Sequence, residues 1–409
     1  MFSRNESNNV VSEVDKILPR LVEMSDWIGK HPELGSEEYE ASKLLSTELE
    51  KHGFNVERGI LGMDTAFKAT FKGKLGGPRI AVLSEYDALP GVGHGCGHNI
   101  IGTAGVGAGI AISKLIGGME GEIVVLGTPA EEGHGPSSGA KKRMVEGGVF
   151  NDIDAAMMIH PTSDITTVSS GFLAISGVNI VFKGKPSHAA ASPEQGVNAL
   201  NAAMITYMSI HANRQQLKRD ANPVIHGIIT EGGLASNITP DRAVMRFGVR
   251  SSDDAYVPEL LKMVENSARG AAIATGCEVE ITTSPGLKSK IKNELMEQLF
   301  YGIFKELGEK VEDPNITAAK PPAGSTDFAE VTHVVPGIHP MVSIAPKEVA
   351  GHSYELAEAT FSEAGHRGLE IGAKALAVAG IEMLLDRGLM MRIKAESTER
   401  LGQVAKSNS

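Results

Sequence analysis

Cysteine is nearly absent from this chain: Cys96 and Cys277, far apart in sequence, are the two it has. That excludes a disulfide framework and fits a reducing compartment, although one bridge remains arithmetically open. Long apolar runs are also missing. The longest, residues 100–112, is interrupted by Gly and Thr and stops before Lys114, short of the ~20 residues a membrane span needs. Basic charge is in deficit, with 39 Lys plus Arg against 50 Asp plus Glu and a net charge of -11. Such a surface repels phosphate backbones and anionic lipid, so neither nucleic acid nor a membrane is expected as a partner. The opening MFSRNESNN is too polar for the apolar segment of a secretory peptide, and RIKAESTERLGQVAKSNS reads as a polar tail. A cytoplasmic protein is the expectation. There is no internal repeat and no low-complexity segment.

What is present is ordinary for a folded soluble chain: 42% hydrophobic and 22% charged residues over 409 positions. At roughly 150 residues per domain, that length predicts two or three domains. Val14, Ile17, Leu18, Leu21, Val22 and Ile28 recur at helical spacing, and a second helix over 37–52 stops at Gly53. Short apolar runs follow: RIAVLSEYD (79–87), EIVVLGTP (122–129) and AAMMIHP (155–161). They do not alternate polar with apolar, so both faces of each strand should be covered, as in a mostly parallel sheet flanked by helices. The Gly- and Ala-rich residues 100–116 would supply one such helix. From about residue 175 the order becomes strand (176–183), helix (197–215), strands (223–230 and 242–250), helix (255–275) and strand (278–283). This βαββαβ pattern is ferredoxin-like. The expected organisation is an α/β domain in two parts, 1–174 and 289–409, with a module inserted at 175–288; a closing strand lies around MVSIAP.

Polar residues gather at the ends of the three apolar strands. The first ends at Asp87 and leads into GVGHGCGHN, with His94, Cys96 and His98; the second ends at Glu131 and Glu132; the third ends at His160. In open α/β sheets ligands bind beyond the carboxyl ends of the strands, so these side chains should meet. Thiolate, imidazole and carboxylate select zinc or manganese, and several of them can hold one or two ions. Cys96 and His98, two apart in an extended segment, face the same side. A helix beginning just after His98 would aim its amino end at the site and favour the thiolate. Glu131 and Glu132 face opposite sides, so one can ligate while the other faces water. An ion lowers the pKa of such a water towards ~7, and the free carboxylate takes its proton and returns it to the leaving group. Singly, each residue has a plainer reading: a hydrogen-bonded core His, a solvated Glu pair, a small buried thiol. Clustering at three successive strand ends favours the metal site.

These residues lie in blocks that resemble the M20 metallopeptidase and amidohydrolase family, in particular its aminoacylase and amidohydrolase branch. HPELGSEEYEAS (31–42), SEYDALPGVGHGCGHN (84–99), GTPAEEGHG (127–135), IHP (159–161), GKPSHAAASPEQGVNAL (184–200), ITEGGLASNITPD (229–241), GSTDF (324–328) and GHSYELAEA (351–359) occur in family order over nearly the whole chain. The resemblance implies a zinc-peptidase-like catalytic domain with the insert as lid and dimerisation domain. It implies two divalent ions, Zn or Mn, held by Cys96, His98, Glu132, His160 and His352, with Glu131 as general base. Many relatives end the first strand in His-x-Asp; here it reads Glu85-Tyr86-Asp87. That agrees with the branch in which the Cys-Gly-His cluster takes over ligation, and it leaves the role of Asp87 open. His188, in PSHAA, is implied to serve the oxyanion across a dimer, a kind of donor whose loss costs ~10²- to 10³-fold in rate. Asn237 and Arg250 are implied to hold the substrate's carboxylate. Residues 324–327 are implied to line the cleft, with Thr326 a candidate contact.

The expected activity is metal-dependent hydrolysis of a C–N amide bond in a small carboxylate-bearing substrate: a dipeptide, an N-acyl amino acid or an aroyl amino acid. Hydrolytic deamination of an activated amino-aromatic acid would use the same chemistry, and a non-catalytic metal- or ligand-binding homologue is the alternative of another class. Gly135-Pro136-Ser137-Ser138-Gly139 satisfies G-x-S-x-G, but EEGHG separates it from its strand, against a nucleophile elbow. No window in residues 91–109 completes G-x-G-x-x-G.

Overall fold

The computed structural model describes residues 4–322 and 324–407. Helix α1 (Arg4–Lys30) buries Val10, Val14, Leu21, Met24 and Ile28 at helical spacing, and α2 (Tyr39–Lys51) ends just before Gly53, whose φ of +87° suits a residue without a side chain. There follow β1 (Asn55–Arg58), β2 (Phe67–Lys72), β3 (Lys74–Ser84), α3 (His98–Ile116), β4 (Glu120–Gly127), α4 (Ala140–Glu146), β5 (Ala155–Met157) and β6 (His160–Ser163). Next come β7 (Ala174–Lys183), α5 (Ala199–Asn213), β8 (Val224–Glu231), β9 (Arg242–Ser251), α6 (Val257–Thr275) and β10 (Glu278–Thr283). The chain closes with α7 (Glu294–Glu306), α8 (Pro314–Ala318), α9 (Phe328–Thr332), β11 (Gly337–Ile338), β12 (Met341–Ala345), α10 (Tyr354–Ala359), α11 (Glu363–Leu385) and α12 (Arg387–Ser407). Two compact units result: Met1–Gly171 with Ile291–Lys320 and Thr326–Ala405, and Phe172–Lys290 with Pro321–Ser325.

In the first unit a six-stranded sheet runs β1-β2-β4-β3-β5-β11. The last four strands are parallel, whereas β2 joins β4, and β1 joins β2, antiparallel. The sheet is therefore mixed, and its antiparallel edge was not among the expectations. The reason is physical: in β2, FKATFK, lysines interrupt the apolar positions, as befits a strand near an edge with one face less covered. The central strands are covered on both sides. Ile80, Val82, Ile123, Val125, Ala155 and Met157 pack with α1, α3 and α11, while Ala81, Leu83, Val124, Leu126 and Ala156 pack with Met144 of α4 and Phe328 of α9. The apolar run 155–161 divides: β5 stays in the main sheet, and β6 pairs with β12 in a two-stranded parallel ribbon.

Helix α3 is longer than the apolar stretch read from the sequence. By length and composition it could cross a membrane, but 89% of its most apolar window is buried inside the fold, against α1, α11 and the sheet. Glycines allow that approach. A Cβ on Gly102 would stand 2.6 Å from the Glu85 carbonyl oxygen, and one on Gly105 would stand 2.5 Å from Ser84 Oγ. The helix thus lies directly on the end of β3, where the polar residues begin.

The second unit has its own core. Its sheet runs β10-β7-β9-β8, antiparallel throughout, and buries Val178, Ile180, Phe182, Met245 and Phe247 against Leu260 and Val264 of α6 and Ala202 and Ala203 of α5.

Two glycine substitutions separate close approach from helix propensity. Gly102→Ala is expected to destabilise by about 1–3 kcal/mol through overpacking. Gly302→Ala in α7, where a Cβ meets nothing within 4 Å, is expected to stabilise by about 0.5–1 kcal/mol. Urea denaturation of both variants checks the signs.

Candidate metal centre

Strand β3 delivers Glu85 and Asp87, both buried, one to three residues beyond its end. Asp87 does two things with its two oxygens. Oδ1 lies 2.9 Å from His98 Nδ1, and Oδ2 accepts the backbone N–H of Glu132 at 2.9 Å. A carboxylate on Nδ1 fixes the imidazole so that Nε2 faces the site. The role that the sequence left open for Asp87 is therefore orientation.

Between Cys96 and His98 the chain turns through Gly97, at φ +76°, which caps α3. A Cβ there would meet Pro161 Cγ at 2.6 Å, so the glycine lets the Cys96 segment settle against β6. Helix α3 starts at His98 itself, not after it. Cys96 Sγ then lies 3.3 Å from His160 Nε2 and 3.5 Å from His352 Nε2. His160 Nδ1 is 2.6 Å from the Pro161 carbonyl, which leaves its Nε2 for the site. His352 is a non-glycine residue at φ +58°, and its N–H donates to the Gly95 carbonyl at 2.9 Å. Backbone strain of this kind persists where the surroundings over-determine it, as they do at functional sites.

The donor atoms sort into overlapping triplets: Cys96 with His98 and His160, Cys96 with Glu132 and His352, and His98 with Glu131 and Glu132. Within each triplet the atoms lie within 4.8 Å of one another. Buried polar atoms without hydrogen-bond partners cost free energy, yet His98 Nε2 and Glu132 Oε1 have none and stand 3.8 Å apart. A cation between them would satisfy both, and thiolate, imidazole and carboxylate suit zinc. The residues present fit a metal.

A second shared feature lies beneath. Lys141, fully buried at the start of α4, pairs with Asp327 and stands 2.7 Å from Glu85 Oε1, a close ion pair without hydrogen-bond alignment. Burial disfavours its charge, but Asp327, Glu85 and Glu131 outweigh that and keep the ammonium protonated. Burial first, and then the charges of Glu85 and Asp327, hold the Glu131 carboxyl well above the usual carboxylate range. Burial also pushes the Cys96 thiol up to about 12 and the His160 imidazole down to about 4. His98 stays well above its ordinary value: burial opposes its charge, but Asp87 and Cys96 outweigh burial.

Of the residues expected at the site, Cys96, His98, Glu131, Glu132, His160 and His352 come together. His94 is buried, pushed down to about 3 by burial, and joins none of the donor groups among the described residues. Thr326 is buried, and its Oγ1 accepts the Phe328 N–H at 3.2 Å at the start of α9. Ser137 is buried ten residues beyond β4, with its N–H on Ser36 Oγ. The remaining three lie in the second unit. His188 is exposed, and its Nδ1 accepts the N–H groups of Ala190 (3.3 Å) and Ala191 (3.1 Å). Residues 188 and 238 form a bridge, and Asn237 O accepts the Ala189 N–H at 3.0 Å, so His188 and Asn237 share one end of the sheet. Arg250 does not join them. It lies near the far end of β9, paired with Ile175; one guanidinium nitrogen is 3.3 Å from Ser325 Oγ, and its buried Nε has no partner. The sequence reading missed Lys141, whose KKR context reads as a solvated helix face, and gave Glu85 no role.

Comparison with known proteins follows the same lines. The pattern of peptidase family M20/M25/M40 matches residues 81–378. The chain is 34% identical over 398 residues to an Xaa-Arg dipeptidase of Mus musculus, covering 94% of this chain and 90% of that protein. It is 32% identical over 309 residues to one of the polypeptides of the p-aminobenzoyl-glutamate hydrolase of Escherichia coli, covering 71% of this chain and 63% of that one. A solved dinuclear metal-binding peptidase of the M20 family from Bacillus subtilis shares the fold at a TM-score of 0.68 and 21% identity, over 91% of this chain and all of that one.

Metal uptake should be coupled to protons. At neutral pH the metal-free Cys96 and His98 both carry protons that a cation must displace, so zinc binding is expected to release protons and to weaken as pH falls. Calorimetry in buffers of different ionisation enthalpy checks this; a binding heat independent of the buffer would contradict it.

Proposed function

From the premise that the chain belongs to peptidase family M20/M25/M40, we propose that it is a metal-dependent amidohydrolase whose substrates are dipeptides, with aroyl amino acids as a second class. Members of this family hydrolyse dipeptides or acyl and aroyl amino acids, and their substrates are small amino acid derivatives or peptides. The preference for dipeptides is supported by near full-length similarity to an Xaa-Arg dipeptidase, and the second class by similarity to an aminobenzoyl-glutamate hydrolase.

The observation that carries the reading is the sharing of Cys96 Sγ between two donor triplets, with Glu131 grouped with one member of each, His98 and Glu132. In this reading Cys96, His98 and His160 hold one divalent ion and Cys96, Glu132 and His352 hold the other, zinc or manganese. Such ions would polarise the scissile carbonyl and make a water acidic near neutral pH. The Glu131 carboxylate takes the proton from that water and returns it to the leaving amine; a raised pKa suits a group that must do both. Asp87 keeps His98 and the Glu132 backbone fixed while this happens.

The second unit supplies substrate binding as lid and dimerisation domain, and its register bears on how. Lys183 pairs with Arg242 at one end of β7 and β9, and Ile175 pairs with Arg250 at the other. Eight residues of strand separate the two ends, roughly 27 Å at ~3.4 Å per residue. One small substrate cannot touch His188, Asn237 and Arg250 of the same chain. A homodimer resolves this, with Arg250 from one protomer and His188 and Asn237 of the partner subunit. The orphaned Arg250 Nε suits a substrate carboxylate. With Nδ1 occupied by two backbone N–H groups, His188 offers an Nε2–H to the oxyanion. Exposed Met204, Ile205 and Met208 on α5 and Ile228 on the edge strand β8 give the dimer an apolar surface. Two free thiols fit a cytoplasmic setting.

Glu131→Gln is expected to lower dipeptide hydrolysis by ~10²-fold or more with metal content unchanged; mass spectrometry of products and elemental analysis check both. His188→Ala should lose ~10²- to 10³-fold as well, and mixing it with Glu131→Gln should restore part of the activity, because each mixed dimer then holds one complete site. Failure of the mixture, with subunit exchange demonstrated, would rule out sharing across subunits.

A further inference from the structure

The block at residues 31–42 has no part in the centre described above, yet it touches both loops that carry the donors. The Glu33 carbonyl accepts the N–H of Ala88, next to Asp87, at 2.8 Å. Ser36 Oγ donates to the His134 carbonyl (3.2 Å) and accepts the Ser137 N–H (2.9 Å). Gly35 lies flat against the Glu131 loop, where a Cβ would stand 2.9 Å from the His134 carbonyl oxygen and 3.0 Å from Ala130 Cα. Glu38 is fully buried: Oε1 accepts the Ala130 N–H at 2.8 Å, and Oε2 accepts the Thr65 hydroxyl at 2.9 Å.

Two features set Glu38 apart from an ordinary helix-start carboxylate. It precedes α2 but makes no cap bond; Glu33 serves the helix instead, accepting from the N–H groups of Glu40 (3.1 Å) and Ala41 (2.9 Å). Its bond to Ala130 falls on a buried non-glycine residue at φ +56°, the residue immediately before Glu131. That region is disfavoured for side chains with a Cβ and persists only where neighbours enforce it. Burial, the largest influence, lifts the Glu38 carboxyl to about 7, and no cationic side chain pairs with it among the described residues. An apolar residue would fill the space at lower cost.

We propose that Glu38 is a positioning residue: through the Ala130 amide its carboxylate holds the left-handed turn that aims Glu131, with Gly35 and Ser36 closing the same loop. The proposal rests on Glu131 being the general base. Glu38 touches no reacting atom; it fixes the direction of the group that does. Misplacement of a reacting group by an ångström is enough to cost on the order of 10²-fold in rate.

Steady-state kinetics, metal content and thermal stability of Glu38→Gln, Glu38→Asp and Glu38→Ala, alongside Glu131→Gln, test it. Gln keeps an acceptor oxygen for Ala130 and presents its amide to the Thr65 hydroxyl, so E38Q should retain kcat within a few-fold. Asp and Ala withdraw the acceptor, so E38D and E38A should lose about 10²-fold in kcat, with KM and metal content little changed. The double variant E38A/E131Q should be no slower than E131Q alone, because the two residues act through one group. Wild-type kcat in E38D and E38A, equal damage in E38Q and E38A, or a double variant much slower than E131Q would each overturn the proposal. If E38A fails to fold, E38D decides. Full turnover in E131Q would instead remove the base reading, and Glu38's role with it.

Discussion

Asp87 ties together two loops that lie 45 residues apart in the chain, holding the His98 imidazole with one oxygen and the Glu132 backbone with the other. Burial would raise its pKa, but the His98 charge and the hydrogen bonds to His98 and Glu132 hold it below the usual value. Through this one carboxylate, the helix that starts at His98 and the loop that carries Glu131 and Glu132 have a common anchor. The sheet does the rest. Parallel β3, β4 and β5 end on the same side, so the residues just beyond them face one another without any long loop having to be ordered.

Charge explains why such a cluster needs a cation. Glu85, Asp87, Glu131, Glu132 and Asp327 bring carboxylates into a poorly hydrated region, and Lys141 is the ammonium that meets two of them. Interiors penalise charge that is neither paired nor ligating. Glu85 and Asp327 are settled by Lys141, and Asp87 by His98. Glu132 Oε1 and His98 Nε2 remain without partners, and the Cys96 thiol remains protonated until a metal competes for it. The protein leaves a place for a cation: Glu132 Oε1 and His98 Nε2 stay unsatisfied after Lys141 and His98 have met the neighbouring carboxylates, with the Glu131 carboxyl unpaired beside them.

Much of this was legible in the sequence because it lies close to strand ends. Apolar runs that do not alternate announced β3, β4 and β5, and polar residues at their ends announced Cys96, His98, Glu131, Glu132 and His160. His352 gave no such signal. It follows a two-stranded ribbon and reaches the centre through a strained backbone, so only its resemblance to family relatives pointed there. The antiparallel edge of the sheet was hidden because β1 is four residues long and β2 carries lysines, which leaves too little apolar contrast. Lys141 was hidden for the opposite reason: a basic triplet on a short helix looks solvated, and only packing shows that one of its lysines is fully buried. That Arg250 stands apart from His188 and Asn237 is a matter of strand register, which residue spacing does not reveal.

The proposed two-ion centre turns on one atom, the Cys96 sulfur. Anomalous diffraction at the zinc edge, from crystals of the zinc-loaded protein, reads it directly. The account predicts two ion peaks, each within ~2.3 Å of Cys96 Sγ, one also bonded to His98 and His160 and the other to Glu132 and His352. A single peak, or two peaks of which one lies beyond bonding distance of that sulfur, would contradict it.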